Sequence, residues 1–206
     1  RRAEQQGRAV MDPVIIAGGG ANIASLQFAF ERLGQRAELS ADPARIRRAS
    51  HVILPGVGAA ADGMTRLAAA GLDTLLPTLT QPVLGICLGM QLLFEASDEG
   101  EVRCLGILPG RARRIHASAG PIPHMGWSRL RILRPHPLLA GLGDEDWAYF
   151  VHSYALEPGP DTVATGDYGG AFTAVASRGN FHGTQFHPER SAATGARLLG
   201  NFLELG

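Results

Sequence analysis

The sequence predicts an α/β fold: a mostly parallel central sheet flanked by helices, with antiparallel additions. Three observations carry that expectation. Short unbroken apolar runs at residues 14–17, 51–54 and 83–86 alternate, in the first half, with longer stretches whose apolar residues recur at helical spacing. A strand covered by helices on both faces reads as such a run, and parallel strands need helical crossovers. In the second half the apolar runs are short, close together and separated by Gly, Pro and Asp, the pattern of antiparallel extensions.

In chain order, Val14-Ile15-Ile16-Ala17 is a buried strand stopped by Gly18-Gly19-Gly20. Residues 21–33 form a helix through Ile23, Leu26, Phe30 and Leu33, ended by Gly34. Residues 37–39 make a second strand. His51-Val52-Ile53-Leu54 makes a third, cut by Pro55-Gly56-Val57-Gly58. A helix over 59–70 ends before Gly71, Val83-Leu84-Gly85-Ile86 is the fourth strand, and 88–96 is a helix directly behind it. Strand-like runs follow at 112–115, 127–133, 148–152, 162–168, 172–177 and 181–186. The closing stretch, 191–205, is an amphipathic helix with Leu198, Leu199, Phe202 and Leu203 on its apolar side.

A chain of 206 residues, 45% of them hydrophobic, can bury one sizeable core. A single domain over 11–206 is expected. Met11-Asp12-Pro13 reads as the natural start, and the polar residues 1–10 as a poorly packed expression remnant without the apolar core of a signal peptide. Basic and acidic side chains balance at 19 each, so no basic stripe for nucleic acid emerges. Arg45-Ile46-Arg47-Arg48 and Arg111-Ala112-Arg113-Arg114 read as solvated faces or loop ends. The sequence contains no lysine, which excludes a Schiff-base lysine and a P-loop lysine. Two cysteines, Cys87 and Cys104, fit a reducing, cytoplasmic setting better than a disulfide scaffold, with Cys104 read as a buried structural thiol. No apolar run approaches the ~20 residues that span a bilayer.

The sharpest local feature is Gly85-Ile86-Cys87-Leu88-Gly89, where a buried strand turns into a helix. This is a nucleophile-elbow pattern with cysteine at its centre, flanked by glycines because a Cβ two residues before or after the bend would clash. Cys87 then sits at a helix N-terminus, where the dipole and open amides favour thiolate. A small buried cysteine between packing glycines is the plainer alternative. His187-Pro188-Glu189 closes the last strand-like run. In an extended segment, positions i and i+2 share a side. Glu189 can thus hold one imidazole nitrogen of His187 and leave the other for Cys87, the logic of acyl transfer. A surface turn is the competing reading, and a metal site of His182, His187 and Glu189 lacks a recognisable ligand spacing. Pro55-Gly56-Val57-Gly58 opens at the same carboxyl edge as the elbow in a parallel sheet. The backbone at Val57, with the amide of Leu88, could supply the two donors that an oxyanion needs. A plain tight turn remains the alternative there.

The segments Gly85-Ile86-Cys87-Leu88-Gly89-Met90-Gln91-Leu92-Leu93-Phe94 and Gln185-Phe186-His187-Pro188-Glu189 resemble the triad (class I) glutamine amidotransferases, a flavodoxin-like α/β family. Pro55-Gly56-Val57-Gly58, Pro123-His124-Met125-Gly126-Trp127, Tyr149-Phe150-Val151-His152-Ser153-Tyr154 and Asp167-Tyr168-Gly169-Gly170 are similar, within that family, to the glutaminase subunits of imidazole glycerol phosphate synthases. The resemblance runs from Val14 to the C-terminus. It implies a glutaminase with Cys87, His187 and Glu189 as its triad and no cofactor. It also implies a heterodimer with a (β/α)8-barrel cyclase that receives ammonia through a tunnel, in histidine biosynthesis. By the same resemblance Gln91 and the Ser153-Tyr154 backbone hold the amino-acid end of glutamine, and Gly56 and Gly58 border it. Asn22, Trp127, Tyr149 and Arg190 turn towards the partner. The isolated chain is then expected to be slow, with its oxyanion loop set only in the complex.

Departures from the family pattern lie outside the triad. Ala17-Gly18-Gly19-Gly20-Ala21-Asn22 stands where an Asp-Tyr-Gly-x-Gly-Asn turn is usual, which puts local docking contacts in doubt. Arg190 replaces a common lysine and Ser128 a usual asparagine. Three other readings remain: a glutaminase serving a different synthase such as the pyridoxal phosphate one, a catalytically dead scaffold, and a dinucleotide-binding module. The last rests on Gly18, Gly20 and Glu38, but Ile23 occupies the place of the third glycine.

Overall fold

The computed structural model describes residues 11–18, 23–116, 118 and 120–206. The expectations placed on residues 1–10, on the turn 19–21 and on Asn22 lie outside the described residues. The first half runs β1 (Pro13–Ile16), α1 (Ile23–Arg32), β2 (Glu38–Ser40), α2 (Pro43–Arg48), β3 (His51–Gly56), α3 (Ala60–Ala69), α4 (Leu72–Leu75), β4 (Val83–Cys87) and α5 (Leu88–Leu93). The second half runs β5 (Ala96–Ser97), β6 (Val102–Arg103), β7 (Arg111–Arg114), β8 (His124–Arg129), β9 (Arg131–Ile132), β10 (Trp147–His152), β11 (Tyr154–Ala155), β12 (Thr162–Asp167), β13 (Ala171–Arg178), β14 (Phe181–Thr184) and α6 (Ala192–Leu203).

The main sheet has the order β2-β1-β3-β4-β14-β13-β12-β9. The pairs from β2 to β14 are parallel and the rest antiparallel, so the predicted mixed α/β architecture is the one observed. Two smaller sheets, β8–β10 and β11-β7-β5-β6, extend the carboxyl edge.

Burial explains the unbroken apolar runs. Ile15, Ile53 and Leu84 face one side with Phe30 of α1 and Leu198, Leu199 and Phe202 of α6. Val14, Ile16, Val52, Leu54 and Val83 face the other with Ile46, Leu67, Leu88 and Leu92. Alternate residues of each strand thus enter two separate cores, and neither face is left for polar side chains.

Several elements differ from the sequence expectation. β3 continues through Pro55 and Gly56, which pair with Ile86 and Cys87. β1 leaves the ladder after Ile53, so the missing N–H of Pro55 breaks no bond on that side. The helix after β4 stops at Leu93, because Ala96 and Ser97 are claimed by ladders with β6 and β7. The run at 127–133 is split between two sheets; the Leu130 N–H turns to the Asp146 carbonyl at the break. α2 is too short to show a period. It is started by Pro43 and capped by Asp42, whose carboxylate accepts from the N–H groups of Ala44 and Arg45. Arg45 pairs with Asp12 and Glu38 on this exposed edge, consistent with a solvated cluster.

Candidate active site

The carboxyl ends of β3 and β4 and the segment after β14 open into one cleft. A cavity of about 410 Å³ there is lined by Gly56, Val57, Gly58, Cys87, Leu88, Gln91, Glu99, Pro123, Val151, His152, Ser153, Tyr154, His187 and Arg190. A larger hollow of about 790 Å³ beside β9 holds none of the residues singled out from the sequence.

Cys87 ends β4 and precedes the first turn of α5 with φ 54° and ψ −112°. A left-handed φ on a non-glycine residue costs of order 1–3 kcal/mol and persists only where packing over-determines it. The elbow glycines provide that packing. A Cβ on Gly85 would lie 2.6 Å from the Gly89 carbonyl oxygen, and one on Gly89 would lie 1.8 Å from that of Leu54. The bend therefore fits only with bare backbone on both sides of the cysteine. Leu88 is the first residue of α5, and its amide has no acceptor within the helix. Val57 shares the cleft wall with it.

His187 is fixed by its backbone. Its N–H donates to the Tyr149 carbonyl at 3.0 Å, and its carbonyl accepts from Ser191 Oγ at 2.7 Å. The same Ser191 Oγ accepts from the Tyr149 N–H at 2.9 Å, so β10 and the histidine loop are tied through one buried hydroxyl. The imidazole Nδ1 meets Glu189 Oε1 at 2.9 Å, and the Cys87 side chain acts on the same ring. Burial alone would lower the His187 pKa. The interactions with Cys87 and Glu189 outweigh it and raise the value to about 10. The proton therefore stays on this ring at neutral pH, between sulfur and carboxylate.

The extended geometry assumed for His187 and Glu189 does not hold. Pro188–Arg190 is a 3-10 turn, closed by the Arg190 N–H on the His187 carbonyl at 3.0 Å. The turn, started by Pro188, folds Glu189 back beneath the ring. Glu189 is buried behind His187 and does not line the cleft.

Around the sulfur stand the Val151 carbonyl and the Gln185 carboxamide nitrogen, each 3.7 Å away. Gln91 spends its nitrogen on the Tyr154 carbonyl and on Gln185 Oε1, both at 2.9 Å. Arg190 lies over the Tyr149 ring at 4.8 Å, and Tyr149 packs edge-on to Trp127 at 5.8 Å. These three form a row leading outward from the cleft rim. His182 stands apart from the triad, bonded to Ser177 Oγ at 2.8 Å. Among the described residues no three His, Cys, Asp or Glu side chains gather closely enough to hold a metal.

Two titratable cleft residues, Glu99 and His152, had no role assigned from the sequence. Glu99 Oε2 accepts from the Ala60 N–H at 3.1 Å, replacing the cap that Ala59 cannot give α3. Burial pushes its carboxyl up, the Ala60 bond opposes this, and Asp62 adds to the rise. His152 bonds the Tyr154 carbonyl at 2.9 Å and His124 at 3.0 Å. Burial drives it down to about 4, against the Tyr154 bond, with His124 and His187 adding to the fall. Glu99 stands in no local pattern with a chemical meaning, and His152, although inside the quoted segment 149–154, meets His124 only through chain packing.

Comparison with known proteins identifies the family. The sequence model of the family described as glutamine amidotransferase class-I matches residues 12–205. The chain is 55% identical over 195 residues to the imidazole glycerol phosphate synthase subunit HisH of Xanthomonas axonopodis pv. citri, covering 94% of this chain and 98% of that one. It is 53% identical over 192 residues to the subunit of the same name from Xylella fastidiosa, covering 93% and 96%. Among solved structures, a glutamine amidotransferase superposes with a TM-score of 0.74 at 20% identity, over 95% of this chain and 98% of the other. A PurLQS structure from Thermotoga maritima gives 0.74 at 18%, over 95% and 99%. At such identities the superpositions speak for the fold alone.

Proposed function

The chain belongs to the class-I glutamine amidotransferases, and from that premise we propose that it is the glutaminase subunit of an imidazole glycerol phosphate synthase. It hydrolyses glutamine through Cys87, His187 and Glu189 and delivers ammonia to a (β/α)8-barrel cyclase in histidine biosynthesis. The observation that carries the reading is His187, bonded to Glu189 and lining with Cys87 one cleft that fits a free amino acid, its pKa raised by both neighbours.

The sulfur of Cys87 attacks the side-chain carboxamide carbon of glutamine. The carbonyl oxygen takes up the electron pair and is held by the amides at Val57 and Leu88. His187 gives its proton to the nitrogen, the C–N bond breaks, and ammonia leaves a γ-glutamyl thioester on Cys87. His187, now neutral, takes a proton from water as that water attacks the thioester. Collapse breaks the C–S bond, expels the Cys87 thiolate and releases glutamate, and the proton taken from water stays on the ring, which Glu189 keeps in one orientation throughout.

At the amino-acid end, the Ser153-Tyr154 backbone and Gly56 and Gly58 frame the substrate. Gln91, its N–H groups engaged elsewhere, offers its carboxamide oxygen. Glu99 supplies negative charge on the cleft wall for the α-ammonium. Trp127, Tyr149 and Arg190 face the cyclase. Free thiols fit work in the cytoplasm. Among the described residues no helix is long and apolar enough to cross a membrane.

The test is glutamine hydrolysis by the chain alone, with the cyclase, and with the cyclase plus its nucleotide ligand. Turnover should be slow alone, rise with both partners present, and vanish in Cys87→Ala. Retained hydrolysis in Cys87→Ala would overturn the scheme, and equal turnover without the cyclase would remove the coupling.

A further inference from the structure

The triad leaves one polar group at the sulfur unexplained. Gln185, wholly buried on the segment after β14, sets an amide atom 3.7 Å from Cys87 Sγ. Which atom that is follows from a chain of bonds. The Tyr154 carbonyl can only accept, so the Gln91 atom that meets it at 2.9 Å is the nitrogen. That nitrogen lies 2.9 Å from Gln185 and has a second N–H to place, so the Gln185 atom facing it is the oxygen. The Gln185 nitrogen is then the atom left against the sulfur. The backbone is pinned as well, by the Gln185 N–H on the Ala174 carbonyl at 2.9 Å.

We infer that Gln185 is a further catalytic residue, donating an N–H to the Cys87 thiolate in an orientation set by Gln91 and the Tyr154 carbonyl. This deepens the glutaminase reading and rests on Cys87 being its nucleophile. The need for such a donor is visible on the opposite side. The Val151 carbonyl, also 3.7 Å from the sulfur, invites a thiol proton and repels a thiolate. His187 answers it from the cleft floor, and Gln185 answers it from the core. Gln185 also keeps its donor in place when hydrolysis of the thioester expels the thiolate again.

The test is the alkylation of Cys87 by iodoacetamide in the full-length chain, followed by peptide mapping from pH 6 to pH 10. Gln185→Met keeps the length and removes the donor. Its alkylation at pH 6 should fall about tenfold and converge with the unaltered chain at the alkaline end, as for loss of a hydrogen bond to a charged group. Its glutamine turnover with the cyclase should fall in kcat with KM little changed. Profiles that superimpose, while Cys87→Ala still abolishes turnover, would overturn the donor and leave the glutaminase standing. Turnover retained in Cys87→Ala would remove both. Gln185→Met strands a Gln91 N–H, so a second measurement uses the unaltered protein. The Gln185 side-chain amide signals in a nitrogen–proton NMR spectrum should move with the pH profile of Cys87 alkylation and lose that movement in Cys87→Ala. Signals that ignore pH in the unaltered chain would overturn the inference.

Discussion

Gly56 and Cys87 are register partners across β3 and β4, so the proposed oxyanion loop and the proposed nucleophile leave the sheet at the same level. The contact behind that register leaves no spare volume. A Cβ on Gly56 would lie 2.5 Å from the Gly89 amide nitrogen and 2.8 Å from Leu88 Cβ. Gly56→Ala should push the first turn of α5 away from the loop, at a cost of about 1–3 kcal/mol by overpacking. A shift near 1 Å at a reacting centre is worth up to ~100-fold in rate. Thermal unfolding together with glutamine hydrolysis in the cyclase complex checks both effects. A variant that matches the unaltered chain in each would mean that the loop and the elbow are not mechanically joined.

Glu189→Gln separates the charge of the orienting acid from its shape. The carboxamide can occupy the same turn beneath His187, but it can present an N–H to Nδ1 and select the wrong tautomer. The corresponding change in a serine-protease triad costs about four orders of magnitude in kcat. A fall of at least ~100-fold is expected here, with some loss of thermal stability at neutral pH because the imidazolium loses part of its support. Because the Glu189 bond is among the interactions that raise His187, the alkaline limb of the pH–rate profile should also move to lower pH. An unchanged limb would show that Cys87 alone holds the imidazolium.

Stability should peak between two histidine limbs of opposite sign. His152 and His182 are pushed down to about 4, mainly by burial. An unfolded histidine titrates near ~6.5. As pH falls from that value towards 4, the unfolded chain takes up protons that the native chain refuses, and stability is lost. His51, His124 and His136 are lowered by burial too and act in the same direction. His187 behaves oppositely, since its folded value is raised to about 10. Its contribution is complete below ~6.5 and is lost as pH rises through 10. Urea unfolding from pH 4 to pH 10 should give this dome, with His182→Gln flattening the acid side and His187→Asn the alkaline side. An acid limb unchanged in His182→Gln would assign it to other groups.

What could be read from the chain, and what could not, divides along physical lines. The parallel strands were legible because burial on both faces forces unbroken apolar runs such as Val14-Ile15-Ile16. The elbow was legible because steric crowding at Cys87 confines Gly85 and Gly89 to glycine. The pairing of His187 with Glu189 came from their short separation, although a 3-10 turn, not an extended segment, makes it. Long-range packing left no such local trace. Glu99 reaches the cleft only because it caps α3 across 39 positions, and Gln185 finds Cys87 across 98. The break at Leu130 depends on the carbonyl of Asp146, a residue that no period in 127–133 encodes.

The proposed docking surface offers a last test. On the β8–β10 ladder, Met125, Trp127 and Trp147 are 63%, 48% and 45% exposed. Trp127 faces Tyr149 in register, and Arg190 completes the row from the cleft rim. Inward positions of the same strands, among them Ala148 and Phe150, are buried in the core. Truncating the outward side chains should therefore spare the fold. Aromatic anchors at an interface commonly carry 2 kcal/mol or more of binding energy. Trp127→Ala should weaken binding of the cyclase by about 30-fold or more at constant ionic strength, with melting temperature within about 2 °C of the unaltered chain. Trp147 sits farther along the ladder, beside Arg129, whose guanidinium lies 5.3 Å from its ring. Trp147→Ala thus reports how far the interface extends from the cleft. Calorimetric titration of each variant with the cyclase reads both effects, and unchanged affinity in Trp127→Ala would move the docking surface off this ladder.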